Sequence, residues 1–511
     1  MNAIRLLRPA AAASLAVLCA AAAANVAAQT PAVPTPPPGM RLIKQSDLKR
    51  DLYYLASDAM RGREAGTIDE LRGAMWEAKR AREAGLMPAG DDGTFFQWWN
   101  MKRTRLSPAS TITVGDQRLV LWKDVAAVTT LDLDVEAPTV WAGDGSDTTI
   151  DVRGKIAVAQ LVKPPARSRK FEGVNSPEWH YATASIGAQG RELARRGAVA
   201  VILVADSIGE VAFDAVTAIS SRGYYDVDDS ATNAGGGRYG RAPSGPPILL
   251  ARRDLRAVLV PSGQQSRVHL VTERFDYPSV NVVGIARGSD PKLRSEYVMF
   301  SSHTDHDGVR FPIAGDSIWN GADDNGSTSV ALLAIARAFV KYPGKRSALF
   351  IWHGAEERGL LGSRYHAAHP VVPLHEIVAV LNGDLIGRNN PDTASILGVQ
   401  PPHRNSSDLV RMALEANAAT GKFVLDSTWD RPTHPEGWYF RSDHIPYVRR
   451  GIPALMYSTN LHADYHTPRD EASRIDYAKL TRMTDWIYET GWLVANAPKR
   501  PALDPGFKLE R

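Results

Sequence analysis

Of 511 residues only one is a cysteine, Cys19, and it lies in a segment read below as removed. A mature chain without cysteine has no thiol nucleophile, no disulfide framework and no cysteine-based zinc site. A dominant charge is also missing, with 60 Lys and Arg against 56 Asp and Glu. Removal of Arg5 and Arg8 leaves 58 basic residues against 56 acidic ones, which gives nucleic acid nothing to recognise. Beyond the amino terminus no apolar run is long enough to cross a bilayer. Two hydrolase signatures are absent as well. His375-Glu376 is followed by Ala379 where a His-Glu-x-x-His zinc helix needs its second histidine, and no Gly-x-Ser-x-Gly nucleophile elbow occurs.

What is present is ordinary globular composition, 44% hydrophobic and 23% charged, in a chain long enough for two or three domains. Arg5 and Arg8 open a positively charged start, followed by an Ala-rich apolar run from Ala10 to Ala24 and the small residues Val26, Ala27 and Ala28. This pattern reads as a signal peptide over 1–28, leaving no stable membrane anchor after cleavage and an exported product, periplasmic or extracellular. Cys19 follows Leu18, where a lipoprotein signal wants a small residue. Residues 29–39 form a Pro-rich linker that cannot pack as a helix or central strand, so folding starts near Met40.

From about Glu296 apolar strand-like runs alternate with helical ones, the pattern of a helix-covered, mostly parallel α/β sheet. Strands are expected at Tyr297–Ser301, Ala348–Trp352, Ile377–Leu381 and Ala454–Ser458. Helices are expected near Ser329–Tyr342, with Val330, Leu333, Phe339 and Val340 on an apolar face, and near Asp408–Thr420 and Tyr477–Ala495. Residues 106–275 have a different texture, with short β-branched strands at Thr111–Val114, Lys155–Leu161 and Ala200–Ala205, and read as an inserted domain. It interrupts a larger α/β domain whose parts are 40–105 and 276–500, with 501–511 as a tail. The Gly-rich loop Asn233–Pro247 lacks a following Gly-Lys-Ser/Thr and reads as solvated rather than phosphate-binding.

Histidines and carboxylates stand at the ends of successive expected strands: His303 and Asp305, Asp323 and Asp324, Glu356 and Glu357, Asp384, and His466. In open α/β sheets ligands bind beyond the carboxyl ends of the strands, so these segments can converge across more than 160 residues of sequence. Converging carboxylates repel one another unless a divalent cation removes the cost. Nitrogen and oxygen donors without sulfur suit zinc.

These residues resemble the co-catalytic zinc aminopeptidases, which include bacterial leucyl aminopeptidases and, more distantly, glutamate carboxypeptidase. The resemblance runs through Ser301-Ser-His-Thr-Asp305, Asn320-Gly-Ala-Asp-Asp-Asn-Gly-Ser327, Gly354-Ala-Glu-Glu357, Asn382-Gly-Asp-Leu-Ile-Gly387, Ser442-Asp-His444 and Tyr465-His-Thr-Pro468. Leu55-Ala-Ser-Asp58 with Arg61-Gly-Arg-Glu-Ala-Gly-Thr67 is similar to the family's opening segment, and the insert resembles a protease-associated (PA) domain, β-rich in character.

The resemblance implies a zinc exopeptidase fold and two zinc ions per subunit. Asp324 would bridge them, with His303 and Asp384 completing one ion and Glu357 and His466 the other. It further implies Glu356 as general base and Tyr465 as hydrogen-bond donor to the oxyanion, with a cis peptide at Asp324–Asn325. Asp305 is expected to hold the second nitrogen of His303, and Asp443 and His444 to stand behind the ligands. His306, His353 and His462 are rival ligands beside the matched positions, and Trp319, Trp352, Trp429 and Trp438 either line a pocket or pack.

The function so implied is removal of amino-terminal residues from peptides with a free amino terminus. The enzymatic alternative is a glutamate carboxypeptidase-like exopeptidase or dipeptidase, which needs cationic groups for a terminal carboxylate. Glutaminyl cyclase, with a single zinc and no first histidine ligand, is disfavoured by His303. A noncatalytic receptor-like binding protein would have lost ligands, and none is lost here.

Overall fold

Three apolar runs build the centre of the molecule: β3 (Tyr297–His303), β4 (Ser347–His353) and β5 (Ile377–Gly383), the last two buried along their whole length. Strands covered on both faces need apolar side chains on both, which is why these read as continuous runs rather than alternating ones. Alternation persists in where the side chains go. Val298 and Phe300 join the core beneath one helical layer, while the intervening Met299 joins the core on the opposite face. This computed structural model describes residues 36–163, 178–233 and 245–510. The expected signal peptide, linker residues 29–35 and most of the loop read over Asn233–Pro247 lie outside the described residues.

One helical layer contains α1 (Gln45–Leu55), α2 (Ile68–Ala84), α3 (Thr328–Lys341), α5 (Ser407–Ala416) and α6 (Tyr477–Asn496). On the other face lies the shorter α4 (Leu361–Ala368). Their ends carry legible signals. The Thr67 hydroxyl accepts from the Asp69 amide at the start of α2, Gly85 ends that helix at φ 89°, and the Asp476 carboxylate accepts from the Lys479 amide at the start of α6. Helix α3 is buried nearly all round; Val340, expected on its apolar face, is instead exposed near its last turn.

The larger sheet has ten strands and is mixed, which corrects the expectation of a mostly parallel sheet. Parallel pairing joins β4 to β3, β3 to β5 and β5 to β7 (Ala454–Ser458). Antiparallel pairing takes over on both sides, through β6 (Thr393–Leu397) against β7, and through β2 (Thr272–Ala286) against β4 and against β1 (Phe96–Leu106). The physical reason is the excursion between β1 and β2. A chain that leaves a sheet and returns beside its own exit must come back antiparallel, as Phe96–Leu106 and Val282–Thr272 do over their full paired length.

That excursion forms a second, eight-stranded sheet, in the order Gln117–Leu119, Thr111–Val114, Gln265–Leu270, Leu133–Trp141, Ile156–Gln160, Ala200–Val204, Ile248–Ala251, Val125–Ala127. Helices Glu178–Arg195 and Phe213–Ser220 pack on one of its faces. One strand of the excursion, Tyr224–Val227, pairs with β1 and so belongs to the larger sheet. Among the described residues no helix is long and apolar enough to cross a membrane.

Candidate metal centre

The carboxyl ends of the parallel strands deliver the donors. β3 ends on His303; β4 ends on His353, and the chain turns through Gly354 and Ala355 into Glu356 and Glu357; β5 ends on Gly383, immediately before Asp384. His466 comes from the loop after β7, and Asp324 from the turn before α3, where the Asp324–Asn325 peptide is cis. Several non-glycine residues here hold left-handed backbone: Ala355 at φ 54°, Leu385 at 54° and His466 at 50°. Each such residue costs about 1–3 kcal/mol, and such strain clusters where surrounding structure must aim a side chain.

Two groups of donor atoms result, each drawn together within 4.8 Å: His303, Glu356 and Asp384 in one, His306, Asp324, Glu357 and His466 in the other. Asp324 spans them. Its Oδ1 lies 3.3 Å from His303 Nε2, and its Oδ2 lies 3.1 Å from His466 Nε2. His303 Nε2 is also 3.7 Å from Asp384 Oδ1 and 3.9 Å from Glu356 Oε2, while His466 Nε2 is 3.1 Å from Glu357 Oε1.

The electrostatics are those of a place that wants cations. Burial would raise the Asp324 carboxyl, as would Glu357, but His303 and His466 overcome both and hold it well below the usual carboxylate range. Glu357 is held low despite burial, by His466 and His306. Glu356 goes the other way, pushed well above its ordinary value by burial that His303 only partly offsets, with Glu357 and Asp384 adding to the rise. The adjacent glutamates are thus shifted in opposite directions by their surroundings.

The residues fit a pair of divalent ions by a further criterion. His303 Nε2, His466 Nε2 and Asp384 Oδ1 are all buried without a hydrogen-bond partner among the described residues. Buried polar atoms are almost always satisfied, so three orphans grouped around the Asp324 carboxylate mark a ligand's place. Imidazole nitrogen and carboxylate oxygen without sulfur are the donor set of catalytic zinc.

The supporting residues depart from expectation in one respect. Asp305 does not hydrogen-bond His303 with its carboxylate, whose Oδ1 stands 3.9 Å from His303 Nδ1. His303 Nδ1 hydrogen-bonds the Asp305 backbone carbonyl at 3.0 Å, while the carboxylate accepts the backbone amides of Glu356 at 2.9 Å and Glu357 at 3.2 Å. The strand ends at His303, so the chain has already turned, and the Asp305 side chain reaches across to the neighbouring loop instead.

Three participants lie outside the set that the sequence resemblance implies. His306, there only a rival to the matched positions, is drawn into the second group, with Nδ1 3.0 Å from Glu357 Oε1. Asp307 faces His466 Nδ1 at 3.4 Å. Asp470 accepts the backbone amides of Asp323 and Asp324, each at 3.0 Å. The clustering of His303, Asp305, His306 and Asp307 within five residues was the available signal for the first two; nothing in the sequence points from Asp470 to Asp324.

Asp323 turns away from Asp324, accepting the Gly387 amide at 2.6 Å with its Oδ2 3.5 Å from His462. Of the other rival histidines, His353 lies 3.4 Å from the Tyr447 hydroxyl. The Tyr465 ring stacks on His466 at 3.9 Å, and its hydroxyl accepts from Arg441 Nη2 at 2.9 Å. Asp443 is wholly buried, with its carboxyl pushed up to about 8 by that burial against the pull of His303. His444 packs edge-on to Tyr439 and belongs to neither donor group. Trp319, Trp352 and Trp438 are buried as packing residues.

Residues 281–491 match the model of Peptidase family M28. The chain is similar to leucine aminopeptidase 2 of Arthroderma otae, 27% identical over 203 residues, 39% of this chain and 37% of that one. It is also 26% identical to aminopeptidase YwaD of Bacillus subtilis over 246 residues, 47% of this chain and 50% of that one. The matched part thus spans between a third and a half of these curated relatives. Among solved structures, an aminopeptidase from Aneurinibacillus sp. strain AM-1 aligns with a TM-score of 0.55 at 18% identity, covering 91% of this chain and 97% of that one. A zinc aminopeptidase from Bacillus subtilis aligns at 0.54 and 19%, covering 91% and 99%. These structures share the mixed α/β fold across nearly the whole chain. Residues 281–491, the part of the chain that matches this family model, hold every donor of both groups.

Proposed function

We propose that the protein is a zinc-dependent aminopeptidase that hydrolyses the first peptide bond of peptides with a free amino terminus. The observation that carries this reading is Asp324, whose two carboxylate oxygens face two different histidines at the junction of two donor groups. His303, Asp384 and Asp324 would hold one zinc ion, and Asp324, Glu357 and His466 the other. His306 stands close enough to Glu357 to orient it. The names of the curated relatives and the family-model match over residues 281–491 support the same activity.

The chemistry that two bound zinc ions supply is a water acidified toward neutral pH and a polarised amide carbonyl. The chain's own residues do the rest. Glu356 stands in the first group with its proton affinity raised by burial, so its carboxylate takes the proton of the attacking water. It then releases that proton to the nitrogen of the departing amine. The Tyr465 hydroxyl accepts a hydrogen bond from Arg441, which leaves its own proton free to be donated to the oxygen that becomes anionic.

A carboxypeptidase would need a cation for the substrate's terminal carboxylate. The cation beside Tyr465, Arg441, is already bonded to Glu436 at 2.7 Å, which favours the aminopeptidase reading. We read the eight-stranded excursion as a PA-like domain that covers one side of the cleft, and residues 1–28 as a signal peptide that directs export. Zinc analysis paired with hydrolysis of free-amine, N-blocked and C-terminally blocked peptides tests the proposal. Two zinc ions per chain and cleavage that depends on the free amine are expected; faster cleavage of N-blocked peptides would overturn the aminopeptidase assignment.

A further inference from the structure

We propose that Arg63, which lies outside the region matched to family M28, is a positioning residue of the metal centre: its buried guanidinium clamps together the two loops that carry His303 and Asp324. The proposal rests on the zinc reading above. Arg63 has no exposed surface. A guanidinium has five N–H donors in a fixed planar fork. Four of them are spent on main-chain carbonyls: Nε donates to Thr304 at 2.7 Å, Nη1 to Leu55 and Asn320, each at 2.8 Å, and Nη2 to Gly321 at 3.0 Å.

Thr304 follows His303 directly, and Asn320 and Gly321 open the turn that ends in Asp324. One rigid plane therefore braces the two loops directly, in addition to the Ser329 hydroxyl that donates to the His303 carbonyl from the start of α3. The backbone around Arg63 is built for the same contact. Arg61, Gly62 and Arg63 all take left-handed φ values, 50°, 67° and 50°. The Arg63 carbonyl accepts the His306 amide at 3.2 Å, and Glu64 forms a β-bridge to His306. Gly62 passes so close to the turn that an added Cβ would meet the Trp319 carbonyl at 2.3 Å.

A buried cation that spends its donors on neutral carbonyls is expensive as a device for stability alone, since apolar packing fills such space at less cost. Its charge also acts on the buried carboxylates of Glu77, Asp305, Asp470 and Asp324, in that order of strength, and so offsets part of their mutual repulsion. Lysine keeps the charge but offers a point donor without the planar fork. Arg63→Lys thus separates geometry from charge, and Arg63→Met removes both.

Zinc affinity is read by competition with a chelating dye on the full-length metal-free protein, alongside kcat, KM and the melting temperature of the metal-free form. Arg63→Lys is expected to fold, to bind the weaker-held ion at least about tenfold less tightly, and to lower kcat with KM little changed. Arg63→Met is expected to lose more. A folded Arg63→Lys protein with wild-type zinc affinity and kcat, whatever its melting temperature, overturns the proposal and leaves the zinc reading intact. Should both variants fail to fold, Gly62→Ala decides between the outcomes by pushing the segment off Trp319: weaker zinc binding supports the clamp, and unchanged binding overturns it. A wild-type protein that takes up no zinc overturns the reading beneath the proposal, and the proposal with it.

Discussion

The two sheets of this protein treat buried polarity in opposite ways. The eight-stranded excursion packs Val158, Ile202, Leu249 and Val268 on one face and Val201, Leu203 and Leu250 on the other, and leaves ion pairs such as Arg267–Asp134 exposed to solvent. The carboxyl edge of the larger sheet instead buries His303, Asp305, His306, Asp307, Asp323, Asp324, Glu356, Asp384 and Asp443 within a few loops. Buried charges without full partners destabilise a fold, so such a concentration is kept for what it binds or does. The first region follows the rules of stability alone, and the second breaks them at each point where a ligand or proton is to be handled.

If that contrast is right, the largest effect comes from emptying the charged edge. Stripping zinc by chelation should reduce peptide hydrolysis to background while leaving the far-ultraviolet circular dichroism unchanged, and zinc should restore it; turnover that survives chelation would break the comparison. Next, Glu356→Gln should lower kcat by about 10³-fold while zinc analysis still finds both ions. Retained turnover would remove Glu356 from the base role. Asp307→Asn should weaken binding at the His466 side by about 10- to 100-fold, measured by dye competition, because the imidazole loses the carboxylate at its Nδ1.

Mutations on the apolar side should show the reverse signature. Ile202→Ala, wholly buried in the second sheet, should cost about 3 kcal/mol in denaturant unfolding with kcat per folded molecule unchanged. The smallest effect concerns a polar defect remote from the metal site. Asp485 and Glu489 lie one turn apart on α6, and burial raises each carboxyl to about 7, with Glu489 adding to the rise of Asp485. A carboxyl raised in the folded state binds its proton more tightly there than in the unfolded chain, so stability falls as pH rises from the unfolded value through about 7. Melting temperature should therefore decline from pH 5 to pH 8, and Asp485→Asn should flatten that decline.

The elements that run deep were legible from the sequence because their composition is dictated locally. Ala454–Ser458 and Thr111–Val114 emerge with the expected bounds, and the expected strand over Ala348–Trp352 is extended by one residue at each end. Pairing direction was not legible, since whether β2 lies parallel or antiparallel to its neighbours depends on where a long excursion returns. Residues within the matched motifs, His303, Asp324, Glu357, Asp384 and His466, could be named in advance, while contacts between distant loops, such as Asp470 on the Asp324 amide, could not. The role of Asp305 shows the limit: its type and position invited a contact with His303, and the turn after β3 gave its carboxylate to the amides of Glu356 and Glu357 instead.

From the amino-acid order alone come the types of donor, their place at the ends of apolar runs, the absence of thiols and so the nature of the metal they suit. Chemistry of that sort belongs to single residues and their nearest neighbours in the chain. Folding alone decides that Asp324 presents one oxygen to each histidine, that His306 and Asp307 turn inward, and that Arg63 reaches four carbonyls from three separate segments. Those facts are distances between residues up to hundreds of positions apart, and only the packing of helices against a twisted sheet sets them.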